Sequence, residues 1–280
     1  MNLDAAAPGT NLGWIAAALV FGPGLRWLWL MRRVRIPRDR TAYVVPSALG
    51  AAAGAVALAQ GTTPASGVAA ALALAGGALF VLLCAASAQS RKAPAVTVGG
   101  PVVDFTATDQ EGRPFATATL RGRPFLLKFF RGHWCPYCVA ELRRWNELRP
   151  VLGAHGIAIV TVCADTPAQI RAGRARHGLE ATMLADPDLA VTDLYHLRNP
   201  RNFAPKPGLV IPLPVPTTIL VDAAGTVRWI DQAEDYMVRS DPGRVLAAIE
   251  AAFGARPAAG AQALPLPAGP AGPVPACPLS

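Results

Sequence analysis

The sequence predicts an α/β domain, a central mixed sheet flanked by helices, carried behind an α-helical membrane segment. Three observations predict it: long charge-poor apolar windows confined to the first 92 residues, an ordered run of strand and helix signals from residue 93 to 256, and a dithiol, Cys135 and Cys138, at one strand-to-helix junction. The 280 residues are 52% hydrophobic and only 16% charged, too apolar for an ordinary soluble chain of this length. The excess sits in windows 12–31, 43–60 and 65–88, and the latter two hold no charged residue. Each comes close to the ~18–20 residues that cross a bilayer. The first contains Gly22-Pro23-Gly24 and Arg26 and reads as a kinked span, with Arg26 snorkelling and Trp27 and Trp29 as aromatic anchors. Two spans plus an interfacial helix is the alternative. A cleaved signal peptide fits poorly, since Met1 to Asn11 carries Asp4 and no Lys or Arg.

Charge then orients the segment. Residues 1–92 hold eight basic and two acidic residues, net +6, and the remainder 18 and 16, net +2. The overall +8 is therefore a membrane-flank feature and does not argue for nucleic acid as a partner. The basic loop Arg32 to Arg40, the uncharged loop Gly61 to Pro64, and Arg91-Lys92 predict an outside N-terminus and a cytoplasmic domain after residue 92, by the positive-inside rule. The expected location is a bacterial inner membrane, multi-pass; a periplasmic domain is the alternative reading.

Beyond Pro94 the elements follow in order. Val102 to Thr106 and Pro114 to Thr119 flank Asp109-Gln110-Glu111-Gly112 as a hairpin. Pro124 to Phe130 is a buried strand, and a helix starts at Pro136 with Leu142, Trp145 and Leu148 inward. Gly156 to Val162 is a second apolar strand, and Asp165-Thr166-Pro167 opens a helix by cap and N1-proline chemistry. Ala181 to Ala185 reads as a strand and Asp188 to Tyr195 as a short helix. Residues 197–216 are Pro-rich and read as a long irregular loop. Thr217 to Asp222 and Thr226 to Ile230 form a hairpin about Ala223-Ala224-Gly225, and Pro242 to Phe253 closes the domain as an amphipathic helix. Residues 257–280, rich in Pro and Ala, read as a disordered tail.

The dithiol carries the chemistry. A cysteine at a helix N-terminus meets unpaired N–H groups and the positive end of the helix dipole, which favour thiolate. A second cysteine one turn on can resolve a mixed disulfide at the first. A zinc site needs two further close ligands, and His133, His155, His177 and His196 are scattered. Cys84 reads as membrane packing, Cys163 as a small buried hydrophobe, and Cys277 as a tail thiol with no evident partner.

Residues 93 to about 256 resemble the alkyl hydroperoxide reductase/thiol-specific antioxidant (redoxin) branch of the thioredoxin fold. The resemblance rests on Val103-Asp104-Phe105, on Phe129-Phe130-Arg131-Gly132-His133-Trp134-Cys135-Pro136-Tyr137-Cys138 with Glu141-Leu142 behind it, on Leu213 to Thr218, on Gly225 to Arg228, and on Asp235-Tyr236 with Arg239. It implies a thioredoxin-like sheet with Cys135 as attacking thiol and Cys138 as resolving thiol. It also implies a cis-proline against the dithiol at Pro216 and a peroxide-polarising arginine at Arg228; rigid strand entry and a surface strand residue are their plainer roles. Arg131 and His133 either lower the Cys135 pKa by charge or are solvated loop residues. Trp134 and Tyr137 read as packing and lid.

One departure matters. The family's peroxidases carry Pro and Thr seven and three residues before the reactive cysteine, where this chain has Lys128 and Gly132. The reading is therefore a membrane-anchored thiol–disulfide oxidoreductase acting on disulfides or peroxides. With no nucleotide or flavin fingerprint, no cofactor is expected, and the reductant would be a protein dithiol or glutathione. A tethered redox sensor or assembly factor, whose dithiol holds a client or metal without turnover, is the reading from another class.

Overall fold

The computed structural model describes residues 8–204 and 210–254. The chain forms two compact units, Met1–Ala88 and Gln89–Ser280. The expected tail, with Cys277, lies outside the described residues.

The first unit consists of α1 (Thr10–Arg32), α2 (Thr41–Gln60) and α3 (Pro64–Ala85), each long and apolar enough to cross a membrane. The three helices pack on one another through close backbone approach at small residues. Gly54 and Gly77 supply it: a Cβ added at Gly54 would lie 2.6 Å from the Ala70 carbonyl oxygen, and one at Gly77 2.4 Å from that of Ser47. α1 runs unbroken through Pro23. Trp27 is not an outward anchor. Its ring is buried and meets Tyr43 and Phe80 edge-on, both at 5.2 Å, while Arg26 Nε donates to the Tyr43 hydroxyl at 3.3 Å. Trp29 stays half exposed, with the Arg33 guanidinium 4.5 Å from its ring centre.

The second unit begins four residues earlier than the composition suggests. Gln89 donates from its backbone to Glu234 and from Nε2 to the Ala233 carbonyl at 3.0 Å, and Arg91 pairs with Glu234 at 2.8 Å. Its strands are β1 (Thr106–Asp109), β2 (Pro114–Ala116), β3 (Phe125–Phe130), β4 (Ala158–Cys163), β5 (Thr182–Ala185), β6 (Arg198–Phe203), β7 (Val210–Pro214), β8 (Thr217–Val221) and β9 (Val227–Gln232). A seven-stranded sheet runs β2-β1-β5-β4-β3-β8-β9. β3 pairs parallel with β4 and antiparallel with β8, the mixed arrangement of a thioredoxin-like domain.

Every residue of β3 is buried, and its period of two assigns the faces. Leu126 and Phe130 pack with Trp145 of α4 (Pro136–Ala154), Ile170 of α5 (Pro167–His177) and Val245 and Ile249 of α7 (Pro242–Phe253). Phe125, Leu127 and Phe129 pack with Phe105, with Val191 of α6 (Ala190–Leu194), and with Tyr195. α5 opens on the expected Thr166 cap, completed as a capping box by Gln169. The expected irregular loop at 197–216 instead holds a β6–β7 ribbon with a bulge between Asn199 and Asn202. Asn199 Nδ2 donates to Asn202 Oδ1, and Asn202 Nδ2 to the Asn199 carbonyl, both at 3.0 Å. A two-stranded ribbon leaves outer edges that tolerate the prolines which argue against a central strand.

Candidate active site

The dithiol sits where β3 feeds α4. Cys135 is the N-cap residue of α4, and Pro136 is preorganised for the first turn. Cys138 lies one turn inside the helix, and both sulfur-bearing side chains are fully buried free thiols. The connecting loop is pinned from the turn after β4: Asp165, fully buried, accepts from the His133 backbone at 2.7 Å and from His133 Nδ1 at 2.9 Å. Gly132, at φ +152°, passes so close that an added Cβ would lie 2.5 Å from Trp134 Nε1 and 2.8 Å from Asp165 Oδ2. This packing explains glycine where the family's peroxidases carry threonine.

Arg239, just before α7, reaches both sulfurs. Its Nη2 lies 3.2 Å from Cys138 Sγ and 3.6 Å from Cys135 Sγ, and its Nη1 donates to the Tyr236 and Val238 carbonyls. Behind it, Arg239 Nε lies 3.4 Å from Glu141 Oε2, and Glu141 Oε1 accepts from Lys128 Nζ at 2.7 Å. Lys128 Nζ also donates to Thr218 Oγ1 at 3.0 Å, and Thr218 shares a 2.8 Å bond with Ser240. The side chains of Lys128, Glu141 and Arg239 are at most 2% exposed. A buried chain of charges therefore runs from β3 through α4 to the dithiol.

The two sulfurs titrate as a unit. Burial pushes the Cys135 thiol up, reinforced by its hydrogen bond to Cys138 and by that neighbour's charge, against the pull of Arg239 and Arg131. Burial also opposes charge on Cys138. There the hydrogen bond from Cys135, the Arg239 guanidinium and the Arg131 backbone N–H win, holding it well below the ordinary thiol range. The pair thus loses its first proton readily and its second with difficulty, with the resting charge on Cys138. Burial raises Glu141 despite Lys128 and Arg239.

Aromatic groups cover the site. The Arg131 guanidinium lies 4.4 Å from the Tyr236 ring centre and 5.1 Å from that of Trp134. Tyr137 meets Tyr236 edge-on at 6.2 Å. Burial, with the nearby Tyr137, pushes the Tyr236 phenol up to about 12.

Of the residues singled out in the sequence, Arg131, His133 and Trp134 stand in the loop that leads into the dithiol. Pro216 is buried beside β8, whose Thr217 pairs with Phe129, so it shares the sheet end that carries the loop. No cis peptide bond occurs among the described residues, so Pro216 follows a trans bond, contrary to the expected cis-proline. Arg228 is turned to other work: on β9, its Nε donates to Asp222 Oδ2 at 2.7 Å, its side chain is 48% exposed, and the sulfurs are served by Arg239. Asp222 binds it because it already collects the turn's N–H groups of Ala224 and Thr226. Sequence reasoning missed the roles of Arg239, Glu141, Lys128 and Asp165. The available signal was Lys128 itself, a lone charge in the apolar run Phe125–Phe130 that needs a buried partner.

Residues 98–230 match the AhpC/TSA family, beginning after the three apolar helices. The thiol-disulfide oxidoreductase ResA of Geobacillus thermodenitrificans is 31% identical over 137 residues, 49% of this chain and 70% of that protein. Chloroplastic peroxiredoxin Q of Sedum lineare is 26% identical over 91 residues, 32% of this chain and 49% of that one. The crystal structure of peroxidoxin BcpB from Mycobacterium tuberculosis aligns over 56% of this chain and 97% of its own, at 20% identity and a TM-score of 0.47. On the ResA match and the family match through the dithiol, the chain belongs to the AhpC/TSA family and is a thiol-dependent oxidoreductase.

Proposed function

We propose that the Cys135/Cys138 pair is the reactive centre of a membrane-anchored oxidoreductase that cycles between dithiol and disulfide. The observation that carries this is Arg239, buried and within 3.6 Å of both sulfurs, in a site that favours a single thiolate. The proton shared across the pair lets the charge resting on Cys138 pass to Cys135, the N-cap sulfur next to the loop. With a disulfide, Cys135 attacks one sulfur and expels the other as thiolate; Cys138 then attacks Cys135 and releases the second as thiol. With a peroxide, Cys135 takes the terminal oxygen to become sulfenic acid and the alcohol or water leaves. Cys138, its proton having gone to the departing oxygen, then closes the disulfide and expels hydroxide, which takes a proton from solvent and leaves as water. A protein dithiol or glutathione returns the pair to its reduced form.

The reduced full-length chain in detergent, mixed with hydrogen peroxide, an organic hydroperoxide or a protein disulfide, should consume each oxidant that is a substrate faster than a free thiol at equal thiolate fraction. Cys135→Ser should abolish turnover, and Cys138→Ser should trap a sulfenic acid or mixed disulfide on Cys135. Trapping on Cys138 in Cys135→Ser would reverse the order of attack, and reaction with none of the oxidants would overturn the reading.

α1, α2 and α3 anchor the domain in this proposal, with the basic loop Arg32 to Arg40 and the redox domain on the cytoplasmic side of a bacterial inner membrane. A reporter active only after export, fused behind Ser280, should stay dark; activity would move the domain to the periplasm.

A further inference from the structure

The buried charge chain bears on the direction in which the dithiol works, an inference that rests on the function proposed above. Counted as the ion pairs they form, Lys128 and Arg239 bring two positive charges and Glu141 one negative. The single thiolate of the Cys135/Cys138 pair is the fourth charge, held by Arg239. With it the chain is neutral; without it one positive charge is left in excess, in a place with at most 2% exposure. The other charged groups nearby are Arg131, over the Tyr236 and Trp134 rings, Asp235, whose carboxylate accepts from Met237, and the His133–Asp165 pair on the loop. Tyr236 is an uncharged phenol at neutral pH.

Forming the disulfide removes that fourth charge. In exchange with glutathione, Cys135–SH and Cys138–S⁻ plus oxidised glutathione give the Cys135–Cys138 disulfide, one glutathione thiol and one glutathione thiolate. Two electrons and one negative charge leave the buried site, and the unbalanced cation disfavours the product. A couple whose reduced form is stabilised in this way is a strong oxidant.

We propose that Lys128 makes this dithiol an oxidising couple: acting through Glu141 and Arg239, it leaves the buried site one positive charge in excess whenever the thiolate is lost. The disulfide is then readily handed to a protein dithiol. In a reaction sequence, a peroxide-reducing or disulfide-reducing step supplies the oxidising equivalents and the oxidation of a client dithiol consumes them. Lys128 is here a positioning residue, since it touches Glu141, Thr218 and the Trp145 ring and not the sulfurs.

The test compares the full-length chain in detergent with Lys128→Met, Glu141→Gln and the double variant. Each is equilibrated across ratios of reduced to oxidised glutathione, and the Cys135–Cys138 disulfide is read by differential alkylation and peptide mass spectrometry. Lys128→Met should favour the disulfide at least tenfold, a potential about 30 mV more reducing. Glu141→Gln, which leaves two uncompensated cations, should disfavour it by a similar factor. The double variant restores the original charge count and should return to within about threefold of the unsubstituted chain, an outcome that accumulated structural damage would not give. If Lys128→Met fails to fold, Glu141→Gln and the double variant decide. Shifts of the same sign in both single variants, or no shift in either, overturn the inference. Absence of any Cys135–Cys138 disulfide in the unsubstituted chain at every ratio overturns the proposed function as well.

Discussion

Replacing Arg239 with Met removes the guanidinium that reaches both sulfurs. At 3.2 and 3.6 Å, a unit charge pair at an effective dielectric of 20 interacts by about 5 kcal/mol. The Arg131 backbone N–H and the Cys135 thiol stay in place, and water entering the vacated volume recovers part of the loss. With about half surviving, ~2–3 kcal/mol remains, roughly 30- to 150-fold in thiolate population at a pH between the two titrations. A thiolate of higher pKa is intrinsically more nucleophilic, which returns about half of the logarithm. The expected net effect is therefore about a tenfold slower alkylation by iodoacetamide near pH 6, with a higher plateau in alkali. The assay is the alkylation rate of the Cys135/Cys138 peptide from pH 4 to 9, on the reduced full-length chain. Arg239→Lys, which keeps charge but loses the fork, should fall between. A Met variant whose profile superimposes on the unsubstituted one, or shifts to lower pH, would refute the electrostatic reasoning.

Other consequences follow from the same geometry. Because Cys138 is held below its unfolded value, its thiolate contributes stability that is fully present above about pH 8.5 and is lost as pH falls through the lowered folded value. The melting-temperature gap between the reduced chain and Cys138→Ser should therefore narrow as pH drops from 9 to 4, and a constant gap would count against the lowered titration. Gly132→Ala forces a Cβ to within 2.5 Å of Trp134 Nε1 at φ +152° and should cost about 2–4 kcal/mol, measured by thermal unfolding; a neutral variant would contradict the pinned loop. Asp165→Ala leaves the His133 N–H without its acceptor and should cost about 1–3 kcal/mol while leaving the midpoint of the alkylation profile in place, since Arg239 is untouched. Gly77→Leu, against the Ser47 carbonyl, should break the packing of the three helices, whereas Leu82→Ala on the exposed side should not; detergent-unfolding curves would separate them.

What could be read from the residues was local. The apolar run of β3 followed by Pro136 fixed a strand-to-helix turn, and the apolar spacing of Val245 and Ile249 behind Pro242 gave α7 with its observed ends. The three windows became three helices because span length and scarcity of charge need no tertiary information. The β6–β7 ribbon was hidden by its prolines, which argue against a central strand but are tolerated in a two-stranded ribbon, Pro200 within the bulge between Asn199 and Asn202 and Pro214 in register with Arg198. The site was legible at the dithiol and its loop but not in its electrostatics. Arg239 lies 101 residues beyond Cys138, and only the sheet closure through β8 and β9 delivers it. Arg228 carried the family's expected arginine role, yet it is captured by Asp222 six residues away, whose carboxylate the turn has already fixed in place. Lys128 announced a buried partner without saying that Glu141 would supply it.

The most direct test of the central claim is whether Cys135 and Cys138 alone exchange two electrons. The reduced full-length chain in detergent is treated with one equivalent of hydrogen peroxide or oxidised glutathione, quenched with a mass-tagged alkylating agent, and mapped by peptide mass spectrometry. The expected product is a Cys135–Cys138 disulfide that dithiothreitol reverses, with Cys84 and Cys163 still alkylated as thiols. Two alkylated thiols at Cys135 and Cys138, or oxidation that falls on Cys163 instead, would contradict it.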